Sequence, residues 1–151
     1  MKLNIAVLAK QVPDTHNITA QAMKDDGTVN RAALPAIYNP EDLNALELAL
    51  SVKERFGATV NVITMGPPRA AEMLKESLYR GADRCILLTD RAFAGADTLA
   101  TSYTLGLAIK KLGKVDIVMC GRQAIDGDTA QIGPQVAEKI AYNQITYVED
   151  V

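Results

Sequence analysis

The residues best suited to bind a ligand follow an apolar stretch late in the chain. Residues 121–131 are rich in Gly and Asp, and a helix is predicted to begin at Thr129. The free N–H groups and the dipole of a helix start attract anions, and the Thr129 hydroxyl adds a donor. Gly121 and Gly127 permit backbone angles that bring N–H groups close to a ligand. This pattern predicts a phosphate or pyrophosphate site near Asp128 and Thr129.

A structural explanation of the same residues stays open. Asp128 or Thr129 would then only cap the helix, while Gly127 would serve the preceding turn. Lys10 ends the first apolar stretch, where its ammonium would either meet a phosphate or remain solvated. For Asn39 the preferred interpretation is a helix cap, because Pro40 follows it.

Other chemistries lack the residues that they need. The chain has no GxGxxG after its first predicted strand and no GxxxxGK[ST], which argues against a dehydrogenase fingerprint and a P-loop. His16 is the single histidine and is predicted to be solvated, so neither a hydrolytic triad nor a metal site is expected. Cys85 and Cys120 lie in apolar stretches and are predicted to be inert core thiols.

Alternating strand-like and helix-like segments position these residues. Strands are predicted over 3–9, 59–65, 84–89 and 115–120, with a fifth over 145–148, and helices over 40–56, 69–80, 98–112 and 129–141. Residues 18–38 suggest a hairpin that turns at 25–27. The alternation predicts an α/β fold with a doubly wound, mostly parallel sheet. Ligands of such sheets lie beyond the carboxyl ends of the strands, which makes 9–14, 65–68, 90–97 and 121–131 the candidate loops.

Composition excludes several classes of protein. The chain of 151 residues is 48% hydrophobic, which predicts a single domain over 1–151. Its 16 Lys and Arg against 18 Asp and Glu give a formal charge of -2, which disfavours nucleic acid as a partner. The first apolar stretch ends at Lys10, too early for a signal peptide, and no later stretch approaches membrane-spanning length. An intracellular, cytoplasmic protein is expected.

Much of the chain resembles the smaller, beta, subunit of electron transfer flavoproteins. The matching stretches are 10–15, 39–42 with the following helix, 65–68, 81–98 and 120–134. The last of them, with its small Gly127, Thr129 and Ala130, is similar to the bifurcating sequences of anaerobic bacteria. The resemblance implies a Rossmann-like three-layer sandwich of the adenine nucleotide alpha hydrolase type.

The resemblance also implies a bound adenine nucleotide. This would be FAD, as in bifurcating members that take electrons from NADH, or AMP, as in members that only relay electrons. The residues that the family pattern assigns to the nucleotide are Leu8, Ala9, Lys10, Asn39, Pro40, Glu41, Asp42, Met65, Gly66, Gly121, Arg122, Gln123, Ala124, Ile125, Asp126, Gly127, Asp128, Thr129, Ala130, Gln131 and Ile132. Several would act through backbone groups.

The implied partners are the larger, alpha, subunit with its redox-active FAD, and an acyl-CoA dehydrogenase or similar redox enzyme. The small subunit would contribute contacts and orientation and no acid–base chemistry, since the cofactor transfers the electrons. Family members continue past residue 151 into an arm that wraps the larger subunit, so a chain lacking that arm is expected here.

Two other functions remain as alternatives. A stand-alone adenine-nucleotide protein similar to universal stress proteins would bind AMP or ATP without colour, although their Gly-rich phosphate loop is missing. An adenylating or nucleotide-hydrolysing enzyme would need a motif of the SGGxDS kind, which the chain lacks.

Overall fold

The computed structural model describes residues 2–14, 22 and 34–151. The elements in this part of the chain are β1 Asn4–Leu8, β2 Gln11–Pro13, β3 Ala36–Tyr38, α1 Pro40–Phe56, β4 Thr59–Met65, α2 Ala71–Arg80, β5 Arg84–Leu88, α3 Thr98–Leu112, β6 Ile117–Cys120 and α4 Ile132–Ile140. Short 3-10 turns cover Pro68–Ala70 and Arg91–Phe93.

The main sheet has the order β5-β4-β1-β6, and its neighbouring strands are parallel. The chain builds outward from β1 through β4 to β5 and then crosses back to place β6 on the other side of β1. Strand order therefore reverses between β1 and β6, which is where sheets of this kind bind ligands. A separate antiparallel pair joins β2 to β3. The predicted doubly wound α/β fold is confirmed.

Helices cover both faces of the sheet and give two cores. Leu46 of α1 and Met73 of α2 pack with Val60 on one face. On the other face, Leu105 of α3 and Val136 of α4 pack with Ile63. Residues Ile5 to Ala9 are all buried, as the lack of alternation in this stretch predicts for a central strand. The result is three layers, with β1 in the middle.

Several predicted helix boundaries are confirmed. Pro40 begins α1, and acidic Glu41 and Asp42 occupy its first turn, where the helix dipole favours negative charge. Gly57 ends α1 with φ of 72°, and Gly81 ends α2 with φ of 119°. Both glycines take the left-handed conformation that an L side chain resists.

Other predicted elements differ from the structure. The fifth strand predicted over 145–148 is wrong, because no strand forms there and Ile145 and Tyr147 are 84% and 82% exposed. A sequence with strand propensity still needs a neighbouring ladder, and this segment has none. The last helix begins at Ile132 instead of 129, because Asp128 and Ala130 have positive φ angles that no right-handed helix accepts.

Smaller differences concern strand ends and the predicted hairpin. β5 ends at Leu88 and β6 begins at Ile117, each shorter than predicted. Pairing of β2 with β3 gives an antiparallel ribbon, while the predicted turn at 25–27 lies outside the described residues, as does His16. Among the helices described, none is both long and apolar enough to cross a membrane.

Candidate functional site

A cavity of about 360 Å³ opens at the carboxyl ends of β1, β4 and β6. Its lining consists of Leu8, Ala9, Lys10, Asp42, Met65, Phe93, Gly95, Ala96, Asp97, Thr98, Thr101, Leu105, Cys120, Gly121, Arg122, Gln123, Ala124, Gly127, Asp128, Thr129, Ala130, Gln131 and Ile132. This place matches the crevice that the reversal of strand order predicts.

Most of the residues that the resemblance assigns to a nucleotide line this cavity. The ones that do not are Asn39, Pro40, Glu41, Gly66, Ile125 and Asp126. The resemblance leaves out part of the lining, namely Phe93, Gly95, Ala96, Asp97, Thr98, Thr101, Leu105 and Cys120. The loop over 90–97 is a candidate from its position after β5. Thr101 and Leu105 give no signal in the sequence, because helical spacing does not distinguish a cavity wall from a core.

Asn39 occupies the N-cap position of α1, and its side chain bonds to the loop after β6. Its side chain makes no capping hydrogen bond. The Nδ2 group donates to the carbonyl of Gln123 at 2.9 Å, and Oδ1 accepts the N–H of Ile125 at 3.2 Å. Asn39 is fully buried, so these contacts satisfy polar groups that water does not reach. Asn39 thus holds the predicted N-cap position, but its side chain supports the loop behind the cavity and does not bond to the helix.

Asp42 and Glu41 both accept hydrogen bonds from backbone N–H groups beside the cavity. The Asp42 carboxylate accepts the backbone N–H groups of Lys10 at 2.9 Å and of Gly121 at 3.0 Å. The Glu41 carboxylate accepts the N–H of Gln123 at 3.1 Å and pairs with the Arg122 guanidinium at 3.0 Å. The first turn of α1 thus holds the ends of β1 and β6 together.

Gly121 is required by close approach and not by a special backbone angle. A Cβ placed on it would lie 2.7 Å from Asp42 Oδ1 and 2.7 Å from the backbone carbon of Glu41. Positive φ is absent at Gly121 and at Gly127, contrary to the expected freedom of both glycines. The unusual angles fall on Asp128, with φ of 49°, and Ala130, with φ of 53°.

The segment 127–131 lines the cavity and contains two left-handed residues, Asp128 and Ala130. The N–H groups of Gly127 and Asp128 donate to the carbonyl of Ala124 at 3.2 Å and 2.9 Å, so a ligand does not meet them as open donors. Left-handed residues in a loop can nevertheless leave neighbouring N–H groups arranged to suit an anion.

Neither Asp128 nor Thr129 caps α4, since Gln131 holds that position without a capping side-chain bond. The N–H groups of Ile132 and Gly133 stand in the first helical turn, which has no carbonyl partner within the helix. The helix start for which the sequence predicts an anion site therefore lies at these residues, three positions later than predicted.

Side-chain bonds fix this segment in place. Gln123 Nε2 donates to Asp128 Oδ1 at 2.9 Å. The Thr98 hydroxyl donates to Gln131 Oε1 at 2.8 Å, and so ties the start of α3 to the start of α4. Strained backbone persists where its surroundings hold it, and such places are often ligand sites.

Cations stand at the rim of the cavity. Lys10 Nζ pairs with Asp126 at 2.7 Å, and its side chain is 47% exposed. The Arg122 side chain is 50% exposed beside Glu41. Both cations remain open enough to solvent to meet a phosphate as well as their carboxylate partners. Met65, Phe93 and Leu105 add apolar surface.

The cysteines give no nucleophile or metal site. Burial raises the pKa of the Cys120 thiol, on the cavity wall, to about 11, and burial also raises the pKa of the Cys85 thiol to about 11. Thiols with raised pKa values stay protonated near neutral pH and react poorly. In the described part of the chain, no cluster of His, Cys, Asp and Glu is arranged to hold a metal ion. The two thiols therefore contribute packing and not reactivity.

A doubly wound sheet with a cavity at its switch point is the architecture of Rossmann-like α/β proteins. Residues 26–151 match the electron transfer flavoprotein domain, and the chain belongs to this family. It is 58% identical over 149 residues to the electron transfer flavoprotein subunit beta of Clostridium acetobutylicum, covering 99% of this chain and 56% of that protein.

Two further relatives are named for reductase systems. The chain is 55% identical over 150 residues to the caffeyl-CoA reductase-Etf complex subunit CarD of Acetobacterium woodii, covering 99% of this chain and 56% of that protein. It is 51% identical over 147 residues to the acryloyl-CoA reductase electron transfer subunit gamma of Anaerotignum propionicum, covering 96% and 54%. The chain thus spans about half the length of these curated relatives.

Proposed function

We propose that this chain is the nucleotide-binding part of an electron transfer flavoprotein small subunit and that its cavity binds FAD. With a larger, flavin-bearing alpha subunit it relays electrons between dehydrogenases and acceptors, including electrons from NADH by bifurcation. The observation that carries the proposal is the cavity at the switch point between β1 and β6, lined by the loop 127–131 and by the start of α4. The family of the chain supports the same assignment.

The lining suggests how the parts of a nucleotide lie. Its phosphates face the loop at Ala130 and the first turn of α4, where helix N–H groups favour an anion. Lys10 and Arg122 balance their charge from the rim. The adenine lies against apolar side chains such as Met65 and Leu105. When bound, FAD supplies the electron-transfer chemistry, while these residues hold and orient it.

The size of the cavity bears on the choice between FAD and AMP. A volume of about 360 Å³ lies near the low end of small-molecule pockets, which run from roughly 300 to 1,000 Å³. AMP fits such a space alone. FAD fits with its AMP half in the cavity and its flavin half beyond the rim, where a partner subunit covers it. AMP is therefore the alternative ligand at this site.

The proposed partners follow from the family and from its named members. Relatives called a caffeyl-CoA reductase complex subunit and an acryloyl-CoA reductase electron transfer subunit support an acyl-CoA dehydrogenase or similar enzyme as the redox partner. We place the assembly in the bacterial cytoplasm, where NADH and acyl-CoA substrates are available.

The test is to purify the chain alone and with its larger subunit, denature each sample, and identify the released nucleotide by chromatography and absorbance. Two flavins per heterodimer would establish FAD in the cavity. One flavin with one AMP would make the protein a simple relay subunit. A colourless chain that contains AMP and does not bind the larger subunit would favour a stand-alone nucleotide-binding protein. The absence of nucleotide from both samples would overturn the proposal.

A further inference from the structure

Asp42 lies beside the cavity with its carboxylate between two strand ends. Its Oδ2 accepts the N–H of Lys10, which follows β1, and its Oδ1 accepts the N–H of Gly121, which follows β6. Asp42 is only 6% exposed, so water offers no ready substitute for either bond. Gly121 also approaches the first turn of α1 too closely for a side chain. One carboxylate therefore sets the spacing between two walls of the cavity.

We propose that Asp42 is a positioning residue that couples nucleotide affinity to pH by holding Lys10 and Gly121 only while its carboxylate is ionised. The inference rests on the proposed nucleotide-binding function. An ionised carboxylate accepts hydrogen bonds at both oxygens. A protonated carboxyl has no charge, and its hydroxyl oxygen is the weaker acceptor, so at least one of the two contacts weakens and lengthens. The loop at Gly121 or the end of β1 then moves away from the position that shapes the cavity.

The surroundings place this proton uptake close to neutral pH. Burial raises the pKa of Asp42 to about 6, against the hydrogen bonds from Asn39, Lys10 and Gly121 that lower it, and the charge of Glu41 raises it further. Two cations of the cavity lining, the Lys10 ammonium and the Arg122 guanidinium, are paired with Asp126 and Glu41.

Two further titratable groups face Asp42 from neighbouring strands. Burial, with smaller contributions that include the Asp42 charge, raises the pKa of Tyr38 on β3 to about 12. Burial and the same charge raise the pKa of Cys120 on β6 to about 11. Both groups therefore stay neutral while Asp42 titrates.

Asp116 offers a matched control at the opposite end of the sheet. Its Oδ2 accepts the backbone N–H of Asn4 at 2.9 Å, as Asp42 accepts that of Lys10. The bond from Asn4, together with Lys114, holds the pKa of Asp116 below its usual range, so it stays ionised where Asp42 takes up a proton. Asp116 does not line the cavity.

The experiment measures the affinity of the full chain for FAD and for AMP by calorimetry across about pH 5 to 8. The variants are Asp42→Asn and Asp116→Asn. Because the AMP phosphate titrates near pH 6 itself, each variant is compared with the unaltered protein at the same pH. In a second measurement, NMR follows the backbone amide signals of Lys10 and Gly121 in the unaltered protein without ligand. This measurement does not depend on whether a variant folds.

We expect the unaltered protein to lose about tenfold in affinity between pH 7 and pH 5, as one proton with a midpoint near pH 6 dictates. Asp42→Asn should be about tenfold weaker at pH 7 and equal at pH 5, while Asp116→Asn keeps the unaltered profile. The amide signals of Lys10 and Gly121 should titrate together.

A constant ratio between the unaltered protein and Asp42→Asn at every pH would overturn the inference and leave the proposed function standing. Amide signals of Lys10 and Gly121 that do not shift with pH would likewise overturn the inference. Titrating amides without nucleotide binding at any pH would overturn the proposed function instead, and the coupling to affinity with it.

Discussion

The side chain of Asn39 donates a hydrogen bond to the backbone carbonyl of Gln123, 84 residues later in the chain. Its oxygen accepts the N–H of Ile125 at the same time. A residue at the start of α1 thus defines the path of the loop after β6. The contact is long-range and Asn39 is fully buried, so it contributes to stability and to the site together.

Asn39→Asp tests this contact with a nearly isosteric change. Aspartate keeps the acceptor for Ile125 but turns an oxygen toward the Gln123 carbonyl, which leaves buried oxygen atoms facing each other. We expect a loss of about 1–3 kcal/mol in the free energy of unfolding and weaker nucleotide binding. Urea denaturation and calorimetry measure the two effects. An unchanged unfolding midpoint would show that the loop does not depend on Asn39.

Gly121→Ala is expected to be destabilising because the new methyl group has no room. It would lie 2.7 Å from the carboxylate of Asp42 and from backbone of Glu41, so α1 or the loop must shift at a cost of about 1–3 kcal/mol. Gly127→Ala is the matched control, since no atom lies within 4 Å of its added Cβ and its φ is not positive. Equal thermal stability of the two variants would contradict the close approach.

Ala130→Gly should stabilise the protein by relieving the backbone. Ala130 has a φ of 53°, and a left-handed L residue costs about 1–2 kcal/mol, part of which the greater flexibility of glycine in the unfolded chain offsets. A net gain of about 1 kcal/mol is expected in urea denaturation. Ala124→Gly, at a residue without positive φ, should lower stability instead. Destabilisation by both changes would argue against strain at Ala130.

Removing charge at the rim should weaken nucleotide binding without unfolding the chain. Lys10→Gln removes a cation from the cavity lining, and we expect about a tenfold loss of affinity, or roughly 1.4 kcal/mol. Lys53→Gln is the control, because Lys53 forms a similar 2.7 Å pair with Asp83 away from the cavity. Calorimetry with AMP at low and at high salt measures both. An equal loss of AMP affinity in the two variants would show that Lys10 does not contact the nucleotide.

Asp42 should also affect how stability depends on pH. Its folded pKa of about 6 lies above the ordinary value of 3.8, so the folded state holds the proton more tightly than the unfolded state. The stability that this provides is present below pH 3.8 and is lost as pH rises through 6, by about 3 kcal/mol in all. Asp42→Asn should flatten that part of the curve of unfolding free energy against pH. An identical curve for both proteins would show that Asp42 does not titrate in this range.

Much of the fold follows from the sequence because its signals are local. Pro40 marks a helix start, Gly57 and Gly81 mark helix ends, and the apolar stretches mark the parallel strands. These features also place the ligand loops at one edge of the sheet. Most of the cavity lining is therefore predictable before any contact is known.

The errors arise where distant contacts decide local structure. Asn39 is the N-cap as predicted, but the bonds of its side chain to residues more than 80 positions away give no signal in the sequence. Positive φ angles at Asp128 and Ala130 delay the start of α4, although an alanine gives no signal of a left-handed conformation. Strand propensity at 145–148 gives no strand without a neighbour in the ladder.

Carboxylate bonds to backbone N–H groups occur at both ends of the sheet. Asp42 makes them at the cavity, whereas Asp83 binds the N–H of Val60 and Asp116 that of Asn4 where the strands begin. Protein engineering can exploit this separation. Substitutions that strengthen the contacts where the strands begin would raise the thermal stability without changing the residues of the cavity. Variant libraries aimed at ligand selectivity would need to cover only the residues at the carboxyl ends of the strands.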